Sequence, residues 1–472
     1  MPFERSDMNE ILASQRCFFD ANMPRSYTAR MDALRRLEDM VVRHQSALVE
    51  AVNQDFGRRA TQETQLLELI PLLSEIRHCQ KHLKGWMRPK KVSVDWTFKP
   101  ARAKIIYQPL GVIGIMGAWN YPISLVLTPL ANALAAGNCA MIKPSELAPA
   151  TSKLIANLIQ QTFITDQVTV IEGGAEVAAE FAALPFDHLV FTGSTQIGRK
   201  VMAAAAQNLT PVTLELGGKS PAWVHESYDL DDAADKIITA KLWNAGQTCI
   251  APDYVLVHEG QRDLFVQAVQ RVLAVRFKSW VDNPHYTQMI NPAAWQRMNE
   301  IVDDARHHSA QVVTFNPLNE STDDACVFLP TLLLDVTYDM RAMTEELFGP
   351  ILPIVTYRDF SDAAQLIKQQ PRPLALYYFD RDSKRVDDVI NKVHAGGIGI
   401  NDCMLHYAQS NLPFGGVGAS GMGAYHGHTG FLTFSKQTGV FVQNRLVAKI
   451  FSVLAKPPYS KWTDRLVNFL LR

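Results

Sequence analysis

The sequence predicts an α/β protein: two units built on parallel sheets, with a small β ribbon beside them. Three observations point there. From residue 110 onward, short apolar runs alternate with segments of helical period. Those runs are continuously apolar, as in parallel strands covered on both faces. Residues 90–108 (Val92, Val94, Trp96, Phe98, then Ile105 and Tyr107) instead alternate apolar with polar, the pattern of a half-buried hairpin.

A chain of 472 residues suggests two or three domains, at roughly 100–200 residues each. With 47% hydrophobic and 20% charged residues, it has the composition of an ordinary globular protein. A net charge of −1 gives a polyanion nothing to bind, so nucleic acid is not an expected partner. Six Cys (17, 79, 139, 249, 326 and 403) are scattered, without a CxxC pair or a His/Cys cluster. That argues against a disulfide framework or a structural zinc and fits a reducing, cytoplasmic compartment. Met1 to Asp7 is charged and shows no secretory signal. No run approaches the ~20 apolar residues of a membrane-spanning helix.

In order, residues 8–55 read as two helices, with Met31, Leu34, Leu37, Val41, Leu48 and Val52 on one face. Residues 62–86 read as another helix. Gly111 to Met116 is a strand, and Pro122 fits the first turn of a helix running to Ala136, with Pro129 inside it. Strands at 139–142, 168–171, 188–191 and 212–215 then alternate with helices at 149–161, 175–183 and 196–207. Such a sheet binds ligands beyond the carboxyl ends of its strands. A second α/β set follows Lys219. Its strands are Pro221 to Val224, Tyr254 to Val257, 328–336, 351–357, Leu374 to Phe379 and a Gly-rich one near Ile398 to Ile400. Its helices are 230–243, 261–276, 361–369 and 384–393. The stretch 446–472 mixes apolar clusters (Phe451, Val453, Leu454; Leu466, Val467, Phe469, Leu470, Leu471) with Lys and Arg. It can dock on the protein or lie on a membrane surface, and docking is the expectation.

Several short stretches can carry chemistry. Asn244 to Ile250 sets Cys249 after small and amide residues, where backbone N–H groups can lower a thiol pKa and bind an oxyanion. The bland alternative is an inert buried thiol, the reading given to the other five. Glu215 lies between two Leu at a strand end, where burial raises a carboxyl pKa toward a general base; it can equally be an ion-pair partner. Phe191 to Gly198 runs from strand to helix, so Gly193 and Ser194 can face a pyrophosphate or form an ordinary turn. Lys143 and Glu146 can meet a ribose or sit in an exposed loop. Asn120, in Trp119-Asn120-Tyr121-Pro122, can cap a helix or polarise a carbonyl. Glu345 to Pro350 reads as a helix end and a turn, and Pro413 to Gly421 as a Gly-rich loop.

Taken together, Asn120, Lys143, the Gly193 turn, Glu215, Cys249, Glu346-Leu347-Phe348-Gly349-Pro350 and Pro413-Phe414-Gly415-Gly416 resemble the aldehyde dehydrogenase superfamily over nearly the whole chain. Ala118 to Pro122, Gln247 to Tyr254 and Gly423 to Gly427 look most like its class 3 branch, which includes fatty and aromatic aldehyde enzymes and bacterial coniferyl aldehyde dehydrogenases. The long membrane-spanning tail of some class 3 members is missing.

The resemblance implies a Rossmann-like cofactor domain (1–87 and 111–215), a catalytic domain (216–404), an oligomerisation ribbon (88–110 and 405–444) and a C-terminal tail (445–472). It implies NAD- or NADP-dependent oxidation of an aldehyde, aromatic or medium- to long-chain aliphatic, by a homodimer. Cys249 would attack the aldehyde, Asn120 and the Cys249 N–H would hold the oxyanion, and Glu215 would activate water against the thioester. Lys143 and Glu146 would meet the adenosine ribose, Gly193 and Ser194 the pyrophosphate, and Glu346 the nicotinamide ribose, with Phe348 and Trp119 nearby. No metal is expected. A CoA-acylating enzyme and a catalytically silent binding protein of the same fold are the alternatives. Glu215 speaks against the first, and the joint presence of Cys249, Glu215 and Asn120 against the second. Tyr121, Trp243 and Tyr407 are candidate walls of the substrate tunnel or core residues.

Overall fold

In the computed structural model, which describes residues 5–322, 326–445, 448, 449, 454 and 456–471, the strands form three sheets. The first runs Gly421–Met422, Val212–Glu215, His188–Thr192, Val112–Met116, Cys139–Lys143, Val168–Val170. All are parallel except the two-residue edge, where Gly421 pairs antiparallel with Glu215. Val112–Met116, His188–Thr192 and Cys139–Lys143 are buried at every position, which is why their sequences are apolar without alternation.

Helices complete that unit. Ser124–Ala136 is buried all round, and apolar but for the row Ser124, Thr128 and Asn132, so it lies inside the unit. Leu34, Leu37 and Val41 pack with Leu130, Leu134 and Ile115 in one apolar cluster. Residues 8–55 hold three helices where the sequence suggested two: Arg5–Ala21, Tyr27–Arg43 and Gln45–Phe56. Ser26 separates the first two by accepting from Ala29 N–H as an N-cap, and His44 breaks the long second stretch. Pro122 lies before its helix and not in the first turn. Glu68, from another segment, accepts the Ile123 and Ser124 N–H groups at 2.8 and 3.1 Å and so sets where the helix begins.

The second sheet has seven strands in the order Gln311–Thr314, Thr331–Leu334, Ile351–Tyr357, Tyr254–His258, Pro221–Val224, Ala375–Phe379, Gly397–Ile400. All are parallel but the first. That strand and the helix Pro292–His307 were not read from the sequence. The strand is short and half-exposed, with only Val312 and Val313 apolar, which leaves little periodic signal.

The third sheet is antiparallel: Lys90–Val92, Arg102–Pro109, Ser435–Val442. The expected hairpin is there, but Lys90, Lys91 and Val92 are all exposed instead of half-buried. In the tail, Lys461–Leu470 is a helix with Phe469 edge-on to Trp96 at 6.3 Å, while Phe469 stays 66% exposed. Phe451 and Val453 lie outside the described residues. No helix among the described residues is long and apolar enough to cross a membrane.

Gly421 closes the first sheet beside Glu215. Its φ of +142° and the Leu214 carbonyl, 2.1 Å from where a Cβ would stand, admit only glycine. Gly421→Ala is expected to cost about 2 kcal/mol or more, read as a lowered thermal midpoint. An unchanged midpoint would show that the edge is not held by this pairing.

Candidate active site

The first sheet starts at Val112–Met116, adds strands on one side, then returns to add His188–Thr192 and Val212–Glu215 on the other. The order reverses between Val112–Met116 and His188–Thr192, and a crevice opens beyond the carboxyl ends at such a point. Trp119 and Asn120 follow the first of these strands, and Gly193 and Ser194 follow the second. Lys143 and Glu215 are themselves the last residues of their strands.

Cys249 comes from the second unit, five residues before Tyr254–His258. Its loop leaves the helix Leu230–Leu242 through three consecutive left-handed residues: Asn244 (φ 54°), Ala245 (φ 50°) and Gly246 (φ 76°). Asn and Gly tolerate that conformation and Ala does not, so the surroundings must enforce it. Gly246 is required twice over, since a Cβ would stand 2.4 Å from the Gly349 carbonyl oxygen. Side-chain amides then take the place of a backbone ladder. Asn244 Nδ2 donates to the Asn120 and Gln247 carbonyls at 3.0 and 3.1 Å. Gln247 Nε2 donates to the Asn244 and Gln288 carbonyls, both at 3.0 Å, and its Oε1 accepts the Ile290 N–H at 2.9 Å. Thr248 Oγ1 lies 2.6 Å from the Tyr121 hydroxyl, and the Ile250 carbonyl accepts from the Tyr377 hydroxyl. Every neighbour of Cys249 is held, so the thiol has a fixed address.

The Cys249 thiol and the Glu215 carboxyl line one cavity of about 210 Å³. Tyr121, Trp243 and Tyr407, read as walls or core, all line it, together with Phe414. Leu66 and Leu405 stand 56% and 49% exposed at its mouth. Neither Glu215 carboxyl oxygen has a hydrogen-bond partner, and burial pushes its pKa well above the usual carboxylate range. Burial, then Glu346 and Glu215, push the Cys249 thiol up as well, while the N–H groups of Cys249 and Ile250 face the sulfur and pull it down. Asn120 is 2% exposed and stands behind the loop. Its Nδ2 donates to the Gln247 carbonyl at 3.1 Å, so its side chain caps no helix.

The residues read as cofactor ligands fall into three groups. Lys143 Nζ lies 2.7 Å from Glu146 Oε2. Ser194 caps the helix Thr195–Ala206, accepting from Ile197 N–H, whereas the Gly193 N–H is engaged by the Glu215 carbonyl at 3.0 Å. Phe348, at φ 54°, meets Trp119 edge-on with ring centroids 5.4 Å apart. Beside it, Glu346 accepts from the Gly218 N–H. Burial and Asp253 raise its pKa to about 8, and its Oε1 has no partner. A Cβ on Gly217 would meet that carboxylate, so glycine is what lets it close in. A glycine-lined carboxylate with an open oxygen, next to an aromatic pair, fits a ribose and a flat ring, and the set as a whole fits a dinucleotide.

Sequence reasoning missed the support beneath this site. Arg59 is fully buried, lies 3.2 Å from Glu68, and donates to the Asn120 carbonyl at 3.1 Å. Glu63 accepts the Asn244 N–H and the Thr287 hydroxyl at 3.2 and 2.6 Å. Lys219 pairs with Asp253 and donates to the carbonyls of Ala342 and Glu345 at 2.8 and 3.0 Å, which fixes the Glu346 loop. These charges sit in amphipathic segments where a solvated face is the ordinary reading, and only the fold turns them inward. Of the Cys read as buried, Cys17 is exposed within the helix Arg5–Ala21, and Cys326 is half-buried.

Residues 4–440 match the model of the aldehyde dehydrogenase family. A probable coniferyl aldehyde dehydrogenase of Pseudomonas aeruginosa is 46% identical over 465 residues, covering 98% of this chain and 96% of that protein. A coniferyl aldehyde dehydrogenase of a Pseudomonas species is 42% identical, covering 95% and 93%. Among solved structures, the substrate-bound state of Staphylococcus aureus AldH superposes with a TM-score of 0.91 at 37% identity, covering 98% of this chain and 99% of that one. The Mycobacterium tuberculosis aldehyde dehydrogenase complexed with NAD+ superposes with a TM-score of 0.84 at 25% identity, covering 93% and 90%. The chain therefore belongs to the aldehyde dehydrogenase family and is an NAD(P)-dependent enzyme that oxidises aldehydes.

Proposed function

We propose that the chain oxidises an aromatic, coniferyl-type aldehyde to its acid by hydrolysing a thioester carried on Cys249. One observation carries the reading: a thiol and an unpartnered carboxyl line the same small cavity. A cavity of about 150 Å³ holds benzene, so one of about 210 Å³ walled by Tyr121, Trp243, Tyr407 and Phe414 suits a ring with a short arm. The names of the two Pseudomonas relatives point to the same substrate class.

In this reading the sulfur of Cys249 adds to the aldehyde carbon. The oxygen that becomes anionic meets the Cys249 N–H and the Asn120 amide hydrogen left free by Gln247. Preorganised donors of this kind contribute about 3 kcal/mol each. When bound, the dinucleotide supplies the hydride acceptor, and a thioester stays on the sulfur. Lys143 and Glu146 hold its adenosine ribose, Ser194 and Gly193 border its pyrophosphate, and Glu346 holds the second ribose, with Phe348 and Trp119 against the ring. Glu146 repels a 2′-phosphate and Lys143 attracts one, so the charge of this pair favours neither NAD nor NADP. Glu215 takes a proton from water, the hydroxide adds to the thioester carbon, the C–S bond breaks and the acid leaves. A CoA-acylating enzyme has no use for such a base.

The division into a cofactor domain (1–87 and 111–215), a catalytic domain (216–404), a ribbon (88–110 and 405–444) and a tail (445–472) belongs to the same proposal. So does a homodimer through the ribbon, where Trp96, Phe441 and Val442 are 63%, 51% and 53% exposed. The described cysteines are all free, in keeping with the cytoplasm.

Cys249→Ala is expected to abolish aldehyde-dependent nicotinamide reduction, by at least about a thousandfold, with cofactor binding kept. Retained turnover would reject the nucleophile. Glu215→Gln is expected to trap an acyl adduct on Cys249, visible by mass spectrometry, and complete rapid deacylation would remove Glu215 from the base role. The same variant tests the burial of Glu215. A carboxyl whose folded pKa is raised holds a proton that the unfolded chain gives up. Stability is therefore full below the unfolded pKa and falls as pH rises toward the folded pKa. Glu215→Gln should remove that loss and raise the thermal midpoint at pH 7–8 but not near pH 4. A lower midpoint at neutral pH would show that the carboxylate is stabilised and not strained.

A further inference from the structure

Next to the main cavity lies a water-sized space of about 10 Å³, and the two share Pro71, Tyr407 and Ala408 as walls. Its other walls are polar: Glu75, Thr128, Ser410 and His426. Glu75 is 2% exposed and His426 5%. Glu75 Oε1 accepts the Gly427 N–H at 2.6 Å and faces the Cys79 thiol at 3.7 Å. Its Oε2 has no partner, and neither has His426 Nε2. Ser410 and the Asn132 amide face the same carboxylate, but neither forms a hydrogen bond of good geometry with it. A buried acceptor left open is costly unless something polar arrives to meet it.

The placement says what arrives. Tyr407 divides the two spaces, and its charge environment includes both Cys249 and Glu75. Ser124 stands against its hydroxyl. Tyr425 likewise stands near Cys249, Glu215 and Glu75 together. Leu405 and Ala408 are exposed where the two spaces adjoin, and Leu66 is exposed on the main cavity's wall. A flat substrate held at Cys249 that runs along Tyr407 toward Ala408 brings its far end against the polar space.

We infer that Glu75 and His426 form a subsite for the ring hydroxyl of a phenolic aldehyde, with the hydroxyl donating to Glu75 Oε2 and meeting His426 Nε2. This rests on the aromatic-aldehyde reading above and adds what that reading does not contain, namely which residues select a phenol over a plain ring. The two residues take no part in bond making at the sulfur, so they determine specificity and are not catalytic.

The test compares cinnamaldehyde, 4-hydroxycinnamaldehyde and 4-methoxycinnamaldehyde as substrates of the full chain with NAD+, and of Glu75→Gln and Glu75→Leu. The wild type is expected to favour the 4-hydroxy compound about tenfold in kcat/KM over the other two, the value of one well-placed hydrogen bond. Glu75→Leu should remove that preference through the KM of the 4-hydroxy compound alone, and Glu75→Gln, which keeps an acceptor for Gly427, should retain part of it. A structural role would instead lower all three substrates together, and that result overturns the subsite. So does equal use of the hydroxylated and plain rings by the wild type, which decides the matter even if Glu75→Leu does not fold. Turnover of hexanal with none of the three aromatic aldehydes would overturn the aromatic reading and the subsite with it.

Discussion

The interaction on which the rest of the site depends is a pair of amide hydrogen bonds between Asn120 and the loop before Cys249. Asn120 gives its side-chain N–H to the Gln247 carbonyl and receives Asn244 Nδ2 on its own carbonyl. One partner follows the first strand of the first sheet, and the other precedes the second strand of the second sheet. The bonds therefore fix the carboxyl ends of one sheet against the amino ends of the other. They also explain how Asn244 and Ala245 are kept left-handed, since the loop has no strand or helix to hold it. Arg59 adds a charged donor to the same Asn120 carbonyl, and Glu63 takes the Asn244 N–H. Charge-assisted bonds in a dry interior are stronger than neutral ones. The latch is thus backed from both sides by charged groups, Arg59 fully buried and Glu63 partly so.

Glu215 is the opposite case. Its position is fixed through the backbone, by pairing with Gly421 and by the Gly193 N–H on its carbonyl, while the carboxyl itself is left without a partner. A buried carboxyl without a donor favours its neutral form, which weakens it as an acid and strengthens it as a base once ionised. Cys249 is handled differently. Two N–H groups face its sulfur and offset part of the burial cost, so the thiolate has donors and the carboxylate has none. Within one small cavity the chain gives one anion support and withholds it from the other. That asymmetry suits a nucleophile that must form readily and a base that must take a proton from water.

The sheets were legible in the sequence because parallel strands buried on both faces are written as unbroken apolar runs, as at Val112–Met116 and His188–Thr192. The pairing of Cys249 with Glu215 was legible too, through the order of motifs that resemble a known family. Strand Gln311–Thr314 was not, being an edge of half-exposed residues. Nor were Arg59, Glu63 and Glu68. Each stands among residues that look like a helix surface, and burial there depends on a helix that the sequence places far along the chain. Lys219 was visible in its motif, but its partner Asp253 lies 34 positions on, and no local pattern links them.

Buried polar atoms without a protein partner are costly, so where they gather is informative. Here several gather: Glu346 Oε1, Thr192 Oγ1, both oxygens of Glu215, the Tyr425 hydroxyl, then Glu75 Oε2 and His426 Nε2. They lie at the carboxylate that suits a ribose, in the cavity that holds the sulfur and in the small space that adjoins it. Others, such as Trp223 Nε1 and Trp280 Nε1, are scattered through the second unit's core and form no such group. The latch keeps open atoms as well, at Asn244 Oδ1 and at Nε and Nη2 of Arg59. The cavity atoms differ in that they gather around adjoining spaces, Thr192, Glu215 and Tyr425 around the one that holds the sulfur and Glu75 and His426 around the smaller one beside it.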